Sequence, residues 1–156
     1  AILLCLLIGG PLILLCIFVP SFREILTGPK SVSGHFHEAG LSLESVMTLL
    51  VVALLRTSLS EEIFFRGFLA KHLIKWLGYQ TGNVLQAVLF GAIHTLLFLT
   101  ITQNALFLFV IFFFPALGAY FMVYLNEKRA DGSIIPGWIA HGMANVLSHG
   151  VIGFLL

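Results

Sequence analysis

Apolar residues run along this chain in long stretches with short polar breaks, the spacing of membrane-crossing helices, which need about 20 such residues each. Residues 1 to 20 are the first run, and Gly9-Gly10-Pro11 is expected to kink it. Residues 21 to 40, SFREILTGPKSVSGHFHEAG, gather Gly, Pro, Ser and charge and read as an extramembrane loop. From Leu41 to Leu77 the pattern is helical, with Ser42 as a plausible N-cap and Gly78 as the stop. At 1.5 Å per residue that segment would be roughly 55 Å long, more than one crossing needs. It predicts either one long tilted helix or two helices broken near Thr57-Ser58-Leu59-Ser60. Further spans follow at 83–101 and at 104–125, the latter Phe-rich and interrupted at Pro115. The polar turn NEKRADGS, 126–133, leads into a last, weakly apolar helix, 134–156.

Composition supports the same class. Of 156 residues, 59% are hydrophobic and 10% charged, and the mean hydropathy is +1.05; a soluble domain carries about 25% charged residues. The expectation is an all-α, polytopic transmembrane helical bundle. A net charge of +1 without a basic run excludes nucleic acid as a partner. Residues 1–19 lack a basic leader and a small-residue cleavage site, so they read as a span and not a signal peptide. The chain opens Ala1-Ile2-Leu3-Leu4 without an initiator Met and reads as a fragment or processed product. Cys5 and Cys16, on one helix and too far apart to bridge, read as apolar packing residues. Lys71 and Lys75 precede the span 83–101 and Lys128 and Arg129 follow 104–125, which puts both pairs on one side, the cytoplasmic one by the positive-inside rule. That balance favours a single helix over 41–77. The chain divides into 1–40, a first helix and polar loop, and 41–156, the remaining bundle.

Against this apolar background the polar residues are conspicuous. Glu61, Glu62 and Arg66 lie together in SEEIFFRGFLAKHL, and charge within a span is by default a functional-site hypothesis. On a helix Glu62 and Arg66 are four apart with the acid first, the favourable order for an ion pair. Glu61 is rotated by about 100° from Glu62, so it is left free to act as a general base. A buried ion network that merely holds helices together explains the same three charges equally well. His94 sits mid-span, with Phe90 and Gln86 on its face and Gly91 beside it. His141 and Asn145 share a helix face, which His149 continues. Such a pair can orient a water, share a metal with His94, or stabilise an oxyanion. His35 and His37 alternate in the polar loop, where two ligands alone make no zinc site.

Three motifs now stand in order: Glu61-Glu62-Ile63-Phe64-Phe65-Arg66, Phe90-Gly91-Ala92-Ile93-His94, and His141-Gly142-Met143-Ala144-Asn145. They resemble the EExxxR, FxxxH and HxxxN motifs of the CPBP intramembrane proteases, the CAAX protease and bacteriocin-processing (Abi) family. The resemblance covers about 60 to 150 and departs at no motif position. It implies a polar catalytic cavity between helices and hydrolysis of a peptide bond in a membrane-anchored substrate, either a CAAX-type prenyl-protein tail or a bacteriocin-like peptide. It implies that Glu61 and His94 activate water, that His141 and Asn145 stabilise the oxyanion, and that Glu62 and Arg66 support the site. No cofactor is required by this scheme; a divalent metal such as Zn, were it used, would fall to Glu61, His94 and His141. His149 matches no family role and reads as structural. The Phe-rich span reads as lipid-facing bulk. The family's domain has more spans than the five counted here, and its setting is a multi-pass protein of a prokaryotic cell membrane. The competing reading is a non-catalytic immunity or scaffold protein that clamps a partner with the same polar residues.

Overall fold

The computed structural model describes residues 2–156, which fold entirely as helices and connecting turns. Helix α1 (Ile2–Phe18) runs on through Pro11 and is followed at once by α2 (Pro20–Thr27), which leaves it at an angle of 113°. The sharp bend therefore lies at Val19, and Gly9-Gly10-Pro11, where a kink is expected, lies inside a continuous helix. The cause is local: a residue before proline is pushed out of the helical region, and Val19 is extended (φ −122°, ψ 98°).

The expectation of an extramembrane loop over 21–40 is corrected. Most of it is helical, as α2 and as α3 (Val32–Ala39). Ser31 caps α3 by accepting from the Gly34 N–H at 2.8 Å, and Gly40 ends it at φ +69°. Phe22 and Leu26 of α2 pack with Cys16, Phe107, Val110, Ile111 and Ile152 in a buried cluster. His35 and His37 stay on the exposed side of α3.

Helix α4 is continuous from Leu43 to Leu77, 35 residues, which decides for the single-helix alternative. Its turns widen to π geometry over Val51–Leu59 and again over Glu62–Ala70. Gly78 (φ +80°) separates it from α5 (Tyr79–Leu99). Helix α6 (Ala105–Arg129) starts at an Asn104 cap and extends four residues beyond the sequence expectation, so the turn begins only at Ala130. Helix α7 (Ile135–Phe154) closes the chain. Lys71 of α4 donates to the Gly132 carbonyl at 2.8 Å and Lys128 lies 4.3 Å from the Tyr79 ring centroid, so both basic clusters occupy one end of the bundle.

Helices α4, α5 and α6 are long and apolar enough to cross a membrane; α1 and α2 together make a fourth if the bent pair is one span. The bundle is apolar outside and polar inside. Leu3 and Leu43 are 84% and 80% exposed, whereas Glu62 and Arg66 are 0% and 1% exposed. Helix α7 packs against α1, α3, α4 and α6 and leaves Ile135, Ile139 and Met143 on an exposed apolar face. Phe109, Phe113 and Phe121 of the Phe-rich helix point outward as bulk, and Phe107 alone is fully buried.

Glycines let the helices close on one another. A Cβ on Gly91 would lie 2.5 Å from the Phe112 carbonyl oxygen and 2.9 Å from Ala116 Cβ, so α5 and α6 meet backbone to backbone there. A Cβ on Gly10 would meet nothing within 4 Å. Gly91→Ala is therefore expected to destabilise the bundle by about 1–3 kcal/mol through overpacking, read as a lower melting temperature in detergent. Gly10→Ala should melt like the parent, and equal melting of all three proteins would refute this account of the α5–α6 contact.

Candidate active site

The site is built on the widened part of α4. Such turns are rare and recur at functional sites. Side chains bond to the backbone carbonyls here: Ser58 Oγ donates to the Ala53 carbonyl at 2.6 Å, Thr57 Oγ1 to the Val52 carbonyl at 2.9 Å, and Trp138 Nε1 to the Leu54 carbonyl at 2.7 Å. Each hydroxyl has one proton and has spent it on a carbonyl, so each can only accept from a third partner. That partner is Asn145, whose Nδ2 lies 3.0 Å from Ser58 Oγ and 3.3 Å from Thr57 Oγ1. The hydrogen-bond logic fixes the amide orientation. Both Asn145 amide hydrogens face α4, and Oδ1 is the atom left without a protein donor among the described residues.

One turn further along α4, the two glutamates part as their rotation requires. Glu62 is fully buried and pairs with Arg66 (Oε1–Nη1 3.3 Å). The same Glu62 oxygen accepts from His141 Nδ1 at 3.0 Å. Glu61 remains 30% exposed, and its Oε2 lies 3.7 Å from His141 Nε2. His141 is thus set between two carboxylates, with Glu62 fixing which ring nitrogen bears hydrogen. Arg66 lies with its guanidinium carbon 4.1 Å from the Phe90 ring centroid and directs Nη2 at Met122 Sδ, 3.9 Å away. Phe90 also stands edge-on to His141, with centroids 6.0 Å apart, and beside His94, 4.4 Å apart. One aromatic ring therefore touches a member of each motif.

His94 donates Nδ1–H to the Phe90 carbonyl at 2.9 Å, a bond to its own helix that holds the ring. A carbonyl can only accept, so the neutral imidazole has its lone pair on Nε2. Glu61, His94, His141 and Asn145 all line one cavity of about 260 Å³ between α1, α4, α5, α6 and α7. Its remaining wall is largely apolar, with Leu12, Leu97, Phe98, Val110 and Ile111. Glu62 and Arg66 lie behind this wall.

All six expected residues thus belong to one construction. Asn145, expected with His141 at an oxyanion, directs its amide hydrogens to Thr57 and Ser58. His149, read as structural, lines the same cavity. Thr57 and Ser58 were not expected in the site. A run of hydroxyl side chains inside an apolar helix was the available signal, since such groups back-bond to carbonyls and bend helices.

As to a metal, no group of three His, Cys, Asp or Glu side chains among the described residues is arranged to hold an ion. The Nδ1 bonds of His141 to Glu62 and of His94 to the Phe90 carbonyl are of the kind that metal-ligating histidines make, and they leave both Nε2 atoms available.

Residues 43–147 match the family described as type II CAAX prenyl endopeptidase, Rce1-like. The match covers more than half of the chain and contains all three motifs. The chain belongs to this family. It is an integral membrane protein, and at the level of the family its activity is that of a CAAX-type endopeptidase acting on a membrane-associated protein substrate. No curated protein and no solved structure matches the chain.

The ion pair beneath the cavity yields a stability prediction. Removing one partner of a buried pair leaves the other charge uncompensated, at a cost of about 3–5 kcal/mol. Glu62→Gln is expected to destabilise the protein in that range. The double change Glu62→Gln with Arg66→Met should recover part of the loss, because no lone charge remains buried. Additive losses in a thermal double-mutant cycle would show that the two side chains do not act as a pair.

Proposed function

We propose that this protein hydrolyses a peptide bond near the C-terminus of a lipid-anchored, CAAX-type protein, using water activated by Glu61 and His94. The observation that carries this reading is the shared cavity. It places a free carboxylate, an imidazole with an available Nε2 lone pair and a second imidazole around one apolar-walled space. An apolar wall suits both the lipid anchor and the aliphatic residues of such a tail.

In this reading a water donates one hydrogen to Glu61 and the other to His94 Nε2. Its oxygen attacks the scissile carbonyl carbon as Glu61 takes the proton. The carbonyl π electrons move to oxygen, and that oxyanion is met by His141, whose Nε2 carries hydrogen when the ring is protonated between Glu61 and Glu62. The C–N bond then breaks, and the proton held by Glu61 passes to the leaving amine. Exclusion of bulk water strengthens each of these interactions. Arg66 and Glu62 hold His141 and carry no part of the substrate. Asn145 is a positioning residue that ties α7 to the widened turn of α4, with Oδ1 free to accept a substrate amide N–H. The protein would act as a multi-pass component of a prokaryotic cell membrane.

Glu61→Gln retains shape and removes the base. It is expected to lower cleavage of a farnesylated CAAX peptide by about 10²–10⁴-fold, the range of general-base contributions, with an unchanged melting temperature. His94→Ala should fall comparably. Mass spectrometry of the products tests both, and full-rate cleavage by Glu61→Gln would sink the assignment.

A further inference from the structure

The cavity has a second polar end that the mechanism leaves unused. Ser33 Oγ and His149 Nδ1 are 2.9 Å apart, and both residues line the same space as Glu61 and His94. Ser33 is 3% exposed and comes from the first turn of α3, His149 from α7. Their meeting is built in by Gly153, where a Cβ would lie 2.7 Å from Phe36 Cβ and 2.9 Å from the Ser33 carbonyl oxygen. Only glycine allows α3 to lie that close to α7.

The pair offers hydrogens in either protonation state. With His149 neutral and Ser33 donating to Nδ1, the ring hydrogen sits on Nε2. With His149 protonated, Nδ1–H donates to Ser33, the serine hydrogen is released, and Nε2–H carries positive charge. One end of the cavity is thus an acceptor, the Glu61 carboxylate, and the other a donor fit for an anion.

The separation of the two ends sets the length of what can lie between them. His141 and His149 are eight residues apart on one helix, a rise of about 12 Å. Three residues of extended peptide span about 10–11 Å. A CAAX tail ends in a free carboxylate three residues beyond its lipid-bearing Cys. We propose that Ser33 and His149 bind the C-terminal carboxylate of the substrate, so that the cavity measures three residues back to the bond presented at Glu61. This assignment rests on the endopeptidase reading above and adds to it a specificity-determining pair outside the three motifs.

The test uses the purified protein in bilayer nanodiscs with four peptides. Each carries a farnesylated Cys, followed by three or four residues, ending as a free acid or as the carboxamide. The three-residue free acid is expected to exceed its carboxamide in kcat/KM by about 10- to 100-fold, as hydrogen bonds to a charged group warrant. It should exceed the four-residue acid as well. His149→Gln and Ser33→Ala should each bring the acid-to-amide ratio towards one, and melting curves of both variants establish that they are folded. Equal cleavage of acid and amide by the parent, or a preference that survives both substitutions, would overturn the carboxylate site while leaving the endopeptidase reading intact. If the parent cleaves none of the four peptides, both readings fall together.

Discussion

A charge pair without water is the constraint around which this bundle is arranged. Glu62 and Arg66 are almost fully buried in a protein whose outer surface is Leu, Ile and Phe. Two isolated charges in such a setting would cost several kcal/mol each, and their mutual attraction repays this only when further partners complete them. Those partners come from three other helices: His141 from α7 on the carboxylate, Phe90 from α5 and Met122 from α6 on the guanidinium. Satisfying the pair therefore fixes the relative placement of α4, α5, α6 and α7. Because His141 is one of the partners, the placement of the cavity it lines is fixed along with it.

The widened turns of α4 add a second, neutral constraint. Thr57, Ser58 and Trp138 bond to carbonyls of the widened turns, and the two hydroxyls then become obligate acceptors for Asn145. The third motif is consequently anchored at both ends, His141 on a charge and Asn145 on hydroxyls. This explains how an i, i+4 polar pair on a largely apolar helix can be held rigidly: His141 Nδ1 and Asn145 Nδ2 bond to α4.

Much of this was legible in the sequence because the physics there is one of scarcity. In a chain with 10% charged residues, an acid and a base four apart on a helix have few partners to choose from, and their ion pair follows. The separation of Glu61 from Glu62 follows from helical rotation alone, and the caps at Ser42 and Gly78 from residue type. The helices of 21–40 were hidden because Gly28, Pro29 and Gly40 dominate the local reading. Yet Phe22 and Leu26 at helical spacing, and Ser31 ahead of α3, mark both elements. The π turns were not legible. Periodicity at 3.6 residues is the assumption behind every helical reading, and the departure shows only in hydroxyls that bond five residues back, as Ser58 does to Ala53. That same departure is why the bonds of Asn145 Nδ2 to Thr57 and Ser58 were not foreseen.

His149 shows the limit from the other direction. From the sequence it is a histidine one turn past a motif, and nothing in its spacing distinguishes packing from binding. Its meaning depends on α3, an element the sequence reading had assigned to a loop, and on Gly153, which has chemical significance only once α3 is seen to touch it. Long-range placement of this kind needs a helix to fold back across the bundle, and the 113° bend at Val19 provides it. The bend carries α2 and then α3 back onto α7. Ser33 and His149 meet only because of that fold-back, in the cavity that also holds Glu61.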